Sequence, residues 1–331
     1  MDDLTDKEIK QKFGVNSLSK LFQRDVDWNL VYNIVVDKGW NGLLEYVVSA
    51  IDEDGNVKSD TKGDHFCENT SHEIVSMACM TLSMMDNINF NLFNVEYHSK
   101  IINFTFIKAC VENDSVFIEQ LLTNDKFNLQ FMDSIGFAYA CYLGNTNVVK
   151  LILSREDFDP NVIYGNDEEH VLSIAINNDH TDIIRLLLND ERINITNEIL
   201  ENAIRSNKGD INKINSINML LEDTRINSKV TIDHIKLCIK RSGFSRVSVE
   251  GNGLHIQNDN ESSIILDMLL NDPRINPPVN FSGQCNDLLQ EVIKIRDSNI
   301  KTQLLAILLN HPCSAELTAE QRILYNNMLG G

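Results

Sequence analysis

The chain has 331 residues and a formal net charge of −19, a balance that repels a phosphate backbone and excludes general nucleic-acid binding. Five prolines and fifteen glycines exclude a low-complexity protein, and no run approaches the ~18 consecutive apolar residues of a membrane span. Seven cysteines, an odd number scattered without a framework, exclude a small disulfide-stapled domain and suit a reducing compartment.

In chain order, residues 2–24 are charged and moderately amphipathic, with Leu4, Ile9, Phe13, Leu18, Leu21 and Phe22 as the apolar positions. They predict an N-terminal cap over residues 1–27, since the open end of a repeat array needs a cover. Residues 28–51 predict the first helix pair, with Gly39 at the turn. Residues 52–70 are polar and Gly-containing, an insertion. Thr70 and Glu73 stand at capping-box spacing for a helix over 71–85.

The most regular stretch is 103–227. FTFIKACVEND (104–114) leads into FIEQLL, GFAYACYLGN (136–145) into VVKLIL, and VLSIAINNDH (171–180) into IIRLLL. Each lead carries a small residue at one register position, Ala109, Ala140 and Ala175, as does Ala203 in ILENAIRSN. A small side chain there lets a second helix approach closely. Cys110 and Cys141 follow the small Ala, and Cys238 occupies its position, so they read as core residues. Residues 207–213 form a small insertion. TIDHIKLCIKRS begins the next unit at Thr231, and residues 243–261 interrupt it. The alternation around Gly251-Asn252-Gly253 predicts a β-hairpin in this second large insertion. NDLLQEVIKIRD and KTQLLAILLNHP make the last pair. Thr318 and Gln321 form a capping box for a helix over 318–328, so residues 316–331 predict a C-terminal cap and tail.

The second half of each unit fixes the period. Residues 180–194, HTDIIRLLLNDERIN, bury an apolar face at helical spacing through Ile183, Ile184, Leu186, Leu187 and Leu188. The stretch recurs with Leu122, Leu153, Leu188, Leu221, Leu270 and Leu309 in one register. The base spacing is roughly 33 residues with longer steps where loops are inserted, which marks one supersecondary unit repeated. Met85 and Val48 continue the register toward the N-terminus. The expected architecture is an all-α solenoid of about seven to eight helix-turn-helix repeats over 28–315.

This resembles the ankyrin-repeat family. The resemblance rests on Ala140 followed by Gly144 and then VVKLIL, and on HTDIIRLLL, which looks like the family's turn into its second helix. The family's Thr-Pro-Leu-His start is absent at the matching positions, Ile135-Gly136-Phe137-Ala138 and Val171-Leu172-Ser173. The usual Gly after the second helix is replaced as well, by Pro273 and Pro312 among others. The wording LLNDxRIN is similar to divergent ankyrins of amoebae, their large viruses and intracellular bacteria. The resemblance implies a non-catalytic scaffold that recognises a partner protein through a concave surface, and a secreted or viral effector acting in a host cytosol. The expected place of action is cytoplasmic and the expected state a monomer.

The chemistry-bearing residues are sparse. His65, Cys67 and His72 lie in one polar stretch, but structural zinc wants four ligands and no second pair stands at a usual distance. No metal and no cofactor is expected. Cys67 with His72 could be pictured as nucleophile and base, the basis of an alternative reading as an enzyme working from an insertion or groove. Nothing places an orienting group or oxyanion donors beside them, and no glycine-rich phosphate loop, HExxH or GxSxG is present.

A positional signal is better. In an ankyrin-like unit the first helix exposes the residue before the small Ala and two that begin two residues after it. That rule selects Lys108, Val111 and Glu112; Tyr139, Tyr142 and Leu143; Ile174, Asn177 and Asn178; Asn202, Arg205 and Ser206; Leu237, Lys240 and Arg241; and Glu291, Lys294 and Ile295. Tyr139 and Tyr142 are candidate contact anchors. Arg205, Lys236, Lys240, Arg241, Arg246 and Lys294 gather positive charge on an acidic chain and suggest a partner with an acidic or phosphorylated segment. The partner-binding residues expected are Tyr139, Tyr142, Asn177, Asn178, Arg205, Lys240, Arg241 and Lys294.

Overall fold

A computed structural model describes residues 5–15, 26–58, 70–85, 88–123, 127–132, 134–164, 169–206, 211–227, 230–242, 246–250, 253–257, 261–275 and 283–329. The chain divides into two compact units, Met1–Val171 and Leu172–Gly331.

The first unit holds α1 (Asp6–Lys12), α2 (Trp28–Ser49), α3 (Thr70–Ser83), α4 (Tyr97–Glu112), α5 (Ser115–Leu121), α6 (Ile135–Leu143) and α7 (Thr146–Leu153). A two-residue ladder follows, β1 (Ile163–Tyr164) against β2 (Glu169–His170). α2 is two helices in one span: Gly39 breaks it at φ 68°, ψ −175°, a conformation that a residue without a Cβ adopts cheaply. α2 packs on α3, α3 on α4, α4 on α6, and α5 on α7. Gly136 allows the α4–α6 approach, because a Cβ on it would stand 2.9 Å from the Phe106 ring. Three aromatic pairs fill the same layers, Phe104–Phe131, Phe106–Phe127 and Phe137–Phe158, with ring centroids 5.4, 4.7 and 4.8 Å apart.

The described part of the 52–70 insertion is a built turn. The Asp52 carboxylate accepts from the backbone N–H groups of Asp54 and Asn56 at 3.0 and 2.8 Å. Ile51 bridges Val57. The buried Lys100 ammonium donates to the Ile51 carbonyl at 3.0 Å and pairs with Glu53 at 3.3 Å. A lysine so deeply buried is tolerated because it is both hydrogen-bonded and paired.

The second unit takes in α8 (Val171–Asn177), α9 (Thr181–Leu188), α10 (Asn197–Ser206), α11 (Ile211–Glu222), α12 (Thr224–Asn227) and α13 (Ile232–Ser242). It continues with β3 (Arg246–Glu250), β4 (Gly253–Gln257), α14 (Glu261–Asn271), α15 (Cys285–Ile293), α16 (Ser298–Asn310), a 3-10 turn (Pro312–Glu316) and α17 (Ala319–Leu329). α9 packs on α11, α11 on α14, and α14 on α16, while α10, α13 and α15 adjoin in turn. The Leu-rich runs supply the buried faces: Ile183, Ile184 and Leu187; Leu220 and Leu221; Leu266 and Leu269; Leu304, Leu305 and Leu308. The hairpin expected over 243–261 appears as β3 and β4, with Val247 opposite Ile256 and Val249 opposite Leu254. α17 starts behind a reciprocal capping box: Thr318 N–H donates to Gln321 Oε1 at 2.9 Å, and Gln321 N–H donates to Thr318 Oγ1 at 3.2 Å.

One turn recurs. The amide of Asp114 donates to the Ala109 carbonyl at 2.9 Å, that of Asn145 to Ala140 at 2.9 Å, and that of His180 to Ala175 at 3.0 Å. The residue before each donor is left-handed: Asn113 at φ 59°, Gly144 at φ 81° and Asp179 at φ 61°. This is the left-handed helix stop, and its occupants are the residue types that tolerate it. The donor residue then becomes the N-cap of the next helix.

The loop after the second helix is also built. In LLNDERIN the Asp190 carboxylate accepts from the Arg192 N–H at 3.0 Å and from its guanidinium at 2.9 and 2.6 Å. Asp223 and Arg225 repeat the arrangement, with the Arg225 N–H at 2.8 Å, and so do Asp272 and Arg274, at 2.9 Å. The Ile that follows each Arg is buried: Ile193, Ile226 and Ile275. Arg225 reaches further. Its guanidinium donates to the carbonyls of Asp190 and Ile193 at 3.2 and 3.3 Å and to that of Leu188. It thereby satisfies the free end of α9, where a cation also suits the helix dipole. Arg274 in turn donates to Asn218 Oδ1 at 2.7 Å and lies 3.5 Å from the Glu222 carboxylate. Arg225 and Arg274 thereby clip their repeats to the ones before them.

Replacing Arg225 with Ala leaves three carbonyls without this donor and is expected to lower unfolding free energy by about 1–3 kcal/mol. Arg225→Lys should recover only part of that, because an ammonium lacks the fork; urea unfolding of the three chains checks both. The clip also carries a pH signature. Hydrogen bonds from Arg192 hold the Asp190 carboxyl below its ordinary range, and those from Arg274 do the same for Asp272. A depressed folded-state pKa stabilises above the unfolded value of about 3.9 and loses that stabilisation as pH falls through the folded value. The melting midpoint should therefore drop on acidification below about pH 4, and an Asp190→Asn, Asp272→Asn chain should show a shallower drop in the same titration.

Candidate functional site

The residues that the first helices present at their C-terminal ends can be placed one by one. In the first unit, Tyr142 ends α6 and is 40% exposed. Tyr139 differs from expectation: it is 2% exposed. Its ring packs edge-on against Tyr164 of β1, with centroids 5.6 Å apart. The short ladder covers that turn of α6. Tyr139 is therefore a core residue and not a contact anchor. Lys108 and Glu112 form an i, i+4 ion pair at 2.6 Å on α4.

In the second unit, Ile174 and Ile295 are buried rather than presented. Asn177 and Asn178 are half-buried at the end of α8, and the Asn178 amide donates back to the Ile174 carbonyl at 2.8 Å. Arg205 on α10 is exposed and stands 3.7 Å from Glu201. On α13, Lys236 lies 3.8 Å from Asp233 and donates to Gln284 Oε1 at 2.7 Å. Lys240 is exposed and Arg241 half-buried one turn further on. Just past the end of α15, Lys294 pairs with Glu291 at 2.6 Å. The Glu291 carboxyl is held below its ordinary range, first by the hydrogen bond from Lys294 and further by the positive charge of Lys240. The adjoining helices α13 and α15 thus bring Lys240, Glu291 and Lys294 together. Arg205, Lys236 and Lys294 each have a carboxylate nearby, so the basic stripe is interleaved with acid. Pairs this exposed contribute only about 0–1 kcal/mol and can exchange partners at little cost. The Arg246 side chain is outside the described residues.

Thr231-Ile232-Asp233-His234 opens α13. The Thr231 N–H donates to His234 Nδ1 at 3.0 Å, with Thr231 Oγ1 also 3.0 Å away, and His234 is buried. This Thr-x-x-His spacing stands in the sequence at the head of TIDHIKLCIKRS; without a Pro and Leu between them, the two residues do not announce themselves.

No group of three or more His, Cys, Asp or Glu that could hold a metal ion occurs among the described residues. His65 and Cys67, and the side chain of His72, lie outside them. A cleft lined by Arg185, Leu188, Asn189, Met219, Glu222 and Asp223, between α9 and α11, has a volume of about 210 Å³. That is below the ~300–1,000 Å³ of small-molecule sites. No helix among the described residues is long and apolar enough to cross a membrane.

A family model described as ankyrin repeats, three copies, matches residues 106–198 and 137–230. Residues 106–230 carry ankyrin repeats. Their fold is the all-α, ankyrin-like one, and the left-handed stops at Asn113, Gly144 and Asp179 all lie in the matched stretch. Ankyrin repeats are protein–protein interaction scaffolds and generally non-catalytic, which implies protein partners. Tyr142, Asn177, Asn178 and Arg205 fall within the match, whereas Lys240, Arg241 and Lys294 lie beyond it. The searches of curated proteins and of solved structures gave no match.

The two tyrosines should separate cleanly. Tyr139→Ala empties a packed site and is expected to cost roughly 3–5 kcal/mol, while Tyr142→Ala should stay within about 0.5 kcal/mol of the unaltered chain. Chemical denaturation of both variants checks the assignment.

Proposed function

We propose that this protein binds a partner carrying an acidic or phosphorylated segment, and that the ends of α8, α10, α13 and α15 in the second unit receive it. The residues assigned to contact are Asn177, Asn178, Arg205, Lys240, Arg241 and Lys294. One observation carries the reading: Lys240 and Lys294 flank Glu291 on adjoining helices, and Lys240 is exposed on a chain whose net charge is −19. An incoming carboxylate or phosphate would displace Glu291 and take both ammonium groups in charge-assisted hydrogen bonds. The scaffold makes no covalent change in its partner. The six cysteines among the described residues, all buried and free, support a reducing place of action, which we take to be a cytoplasm, a host's included, with the protein acting there as an effector and a monomer.

Capture of the partner from cell extract, identified by mass spectrometry and then repeated with purified protein, tests the proposal. Lys240→Glu with Arg241→Glu should weaken binding at least about tenfold at low salt, a loss of ~1.4 kcal/mol, with the melting midpoint unchanged. Equal binding by the reversed chain at low salt would reject the basic stripe as the site, and a covalently altered partner would reject the non-catalytic reading.

A further inference from the structure

Cys285 opens α15, and Cys313 sits in the 3-10 turn after α16. Their sulfurs are 3.0 Å apart, and the residues are 0% and 6% exposed. Both are thiols, not a disulfide. They meet because the chain turns sharply after α16. His311 Nδ1 accepts from the Cys313 N–H at 3.2 Å, and Pro312 starts the turn. Other contacts set the same approach without either sulfur. The Gly283 N–H, two residues before Cys285, donates to the Glu316 carboxylate at 3.0 Å. Tyr325 of α17 donates to Asn286 Oδ1 at 2.8 Å and accepts from Gln290 Nε2 at 2.9 Å. Arg322 of α17 donates to the Ser314 carbonyl at 2.7 Å. The two sulfurs are thus held by elements fixed on both sides, and closing 3.0 Å to a bond of ~2.05 Å asks for little movement.

We propose that Cys285 and Cys313 are a reversible dithiol–disulfide pair, responsive to hydroperoxides, that clasps the C-terminal turn onto the last helix pair. In the first step the Cys285 thiolate attacks a peroxide oxygen; the O–O bond breaks, hydroxide leaves, and Cys285 becomes a sulfenic acid. Cys313 sulfur then attacks the Cys285 sulfur, the S–O bond breaks, and water leaves. Two thiols and one hydrogen peroxide give one disulfide and two waters. A dithiol reductant reverses the oxidation.

The contact brings the two sulfurs within reach of each other, and we take Cys285 as the attacker. The hydrogen bond from Cys313 lowers the Cys285 thiol pKa, and the same bond pushes that of Cys313 up. By contrast, burial pushes the thiols of Cys79, Cys110, Cys141 and Cys238 up, and a thiol kept protonated is a poor nucleophile. The clasp does not depend on what the first-helix surface binds.

The full chain, reduced and desalted, is treated with hydrogen peroxide, its remaining thiols are alkylated, and it is digested and mapped without reduction. The expected result is a cross-linked peptide joining Cys285 to Cys313, lost on treatment with dithiothreitol, and a melting midpoint several degrees higher in the oxidised chain, since a cross-link restricts the unfolded ensemble. Cys285→Ala and Cys313→Ala should each abolish both the link and the shift. Alkylation of both cysteines at every peroxide dose, oxidation of each to sulfinic acid without a link, or a link to a different cysteine would overturn the pair. A bridge that leaves the midpoint unchanged would overturn the clasp. The mapping uses the unaltered chain, so it decides the matter even if a variant fails to fold.

Discussion

The structure hangs on one backbone hydrogen bond made again and again. A helix ends, a single residue swings left-handed, and the next amide returns to the carbonyl of a small Ala five residues back. That bond closes a turn too short to let the two helices drift apart. It therefore fixes which face of each helix looks inward, and the apolar stripes on both must match the geometry it sets. The small Ala satisfies two demands at one position. Its carbonyl receives the returning amide, and its side chain leaves room for the neighbouring helix. A larger side chain would force the pair open, and the Leu-rich second helix would lose the surface it packs against.

Stacking alone does not set the spacing between successive hairpins; the polar loop does much of that. In LLNDERIN and its echoes the Asp holds the following Arg in shape, and Arg225 and Arg274 then reach across to the preceding repeat. This is a hydrogen-bonded link between neighbours in a structure where neighbours are all that a repeat touches. It also explains why the loops can carry so much charge. The carboxylates and guanidinium groups neutralise each other locally, and the Arg225 guanidinium also reaches the Leu188 carbonyl that the end of α9 leaves without a helical partner.

The helix pairs were legible because their signals are local. Small residues recur at Ala109, Ala140 and Ala175, Asn, Gly and Asp stand at the stops, and a Leu run follows at helical period; each can be read within one unit. The clip was not legible, since the partner of Arg225 lies near Leu188 and no local pattern reports a contact over that separation. The burial of Tyr139 failed for the same reason. The rule that exposes the residue before Ala assumes a bare helix end, and Tyr164, from a segment that shows no strand periodicity, covers it. Tyr142, one turn further along and beyond that cover, kept its predicted exposure. The Thr231–His234 contact was legible in principle, because its two residues stand at helix-start spacing; what hides it is the unusual pair between them.

The surface chemistry follows from how weakly its charges are held. Arg205, Lys236 and Lys294 each stand near an exposed carboxylate, in pairs worth little individually because water screens both partners. A side chain held by so little can turn to a better acceptor, and a phosphate or a cluster of carboxylates in a desolvated contact is a better acceptor than one solvated Glu. Under the proposed reading, the acidic residues between the bases would act as placeholders. In that reading they would repel partners that bring negative charge to the wrong positions. On a chain of net charge −19, selectivity of this kind needs no large positive field. It needs a few ammonium and guanidinium groups held in place, and the packing of α10 on α13 and of α13 on α15 holds them.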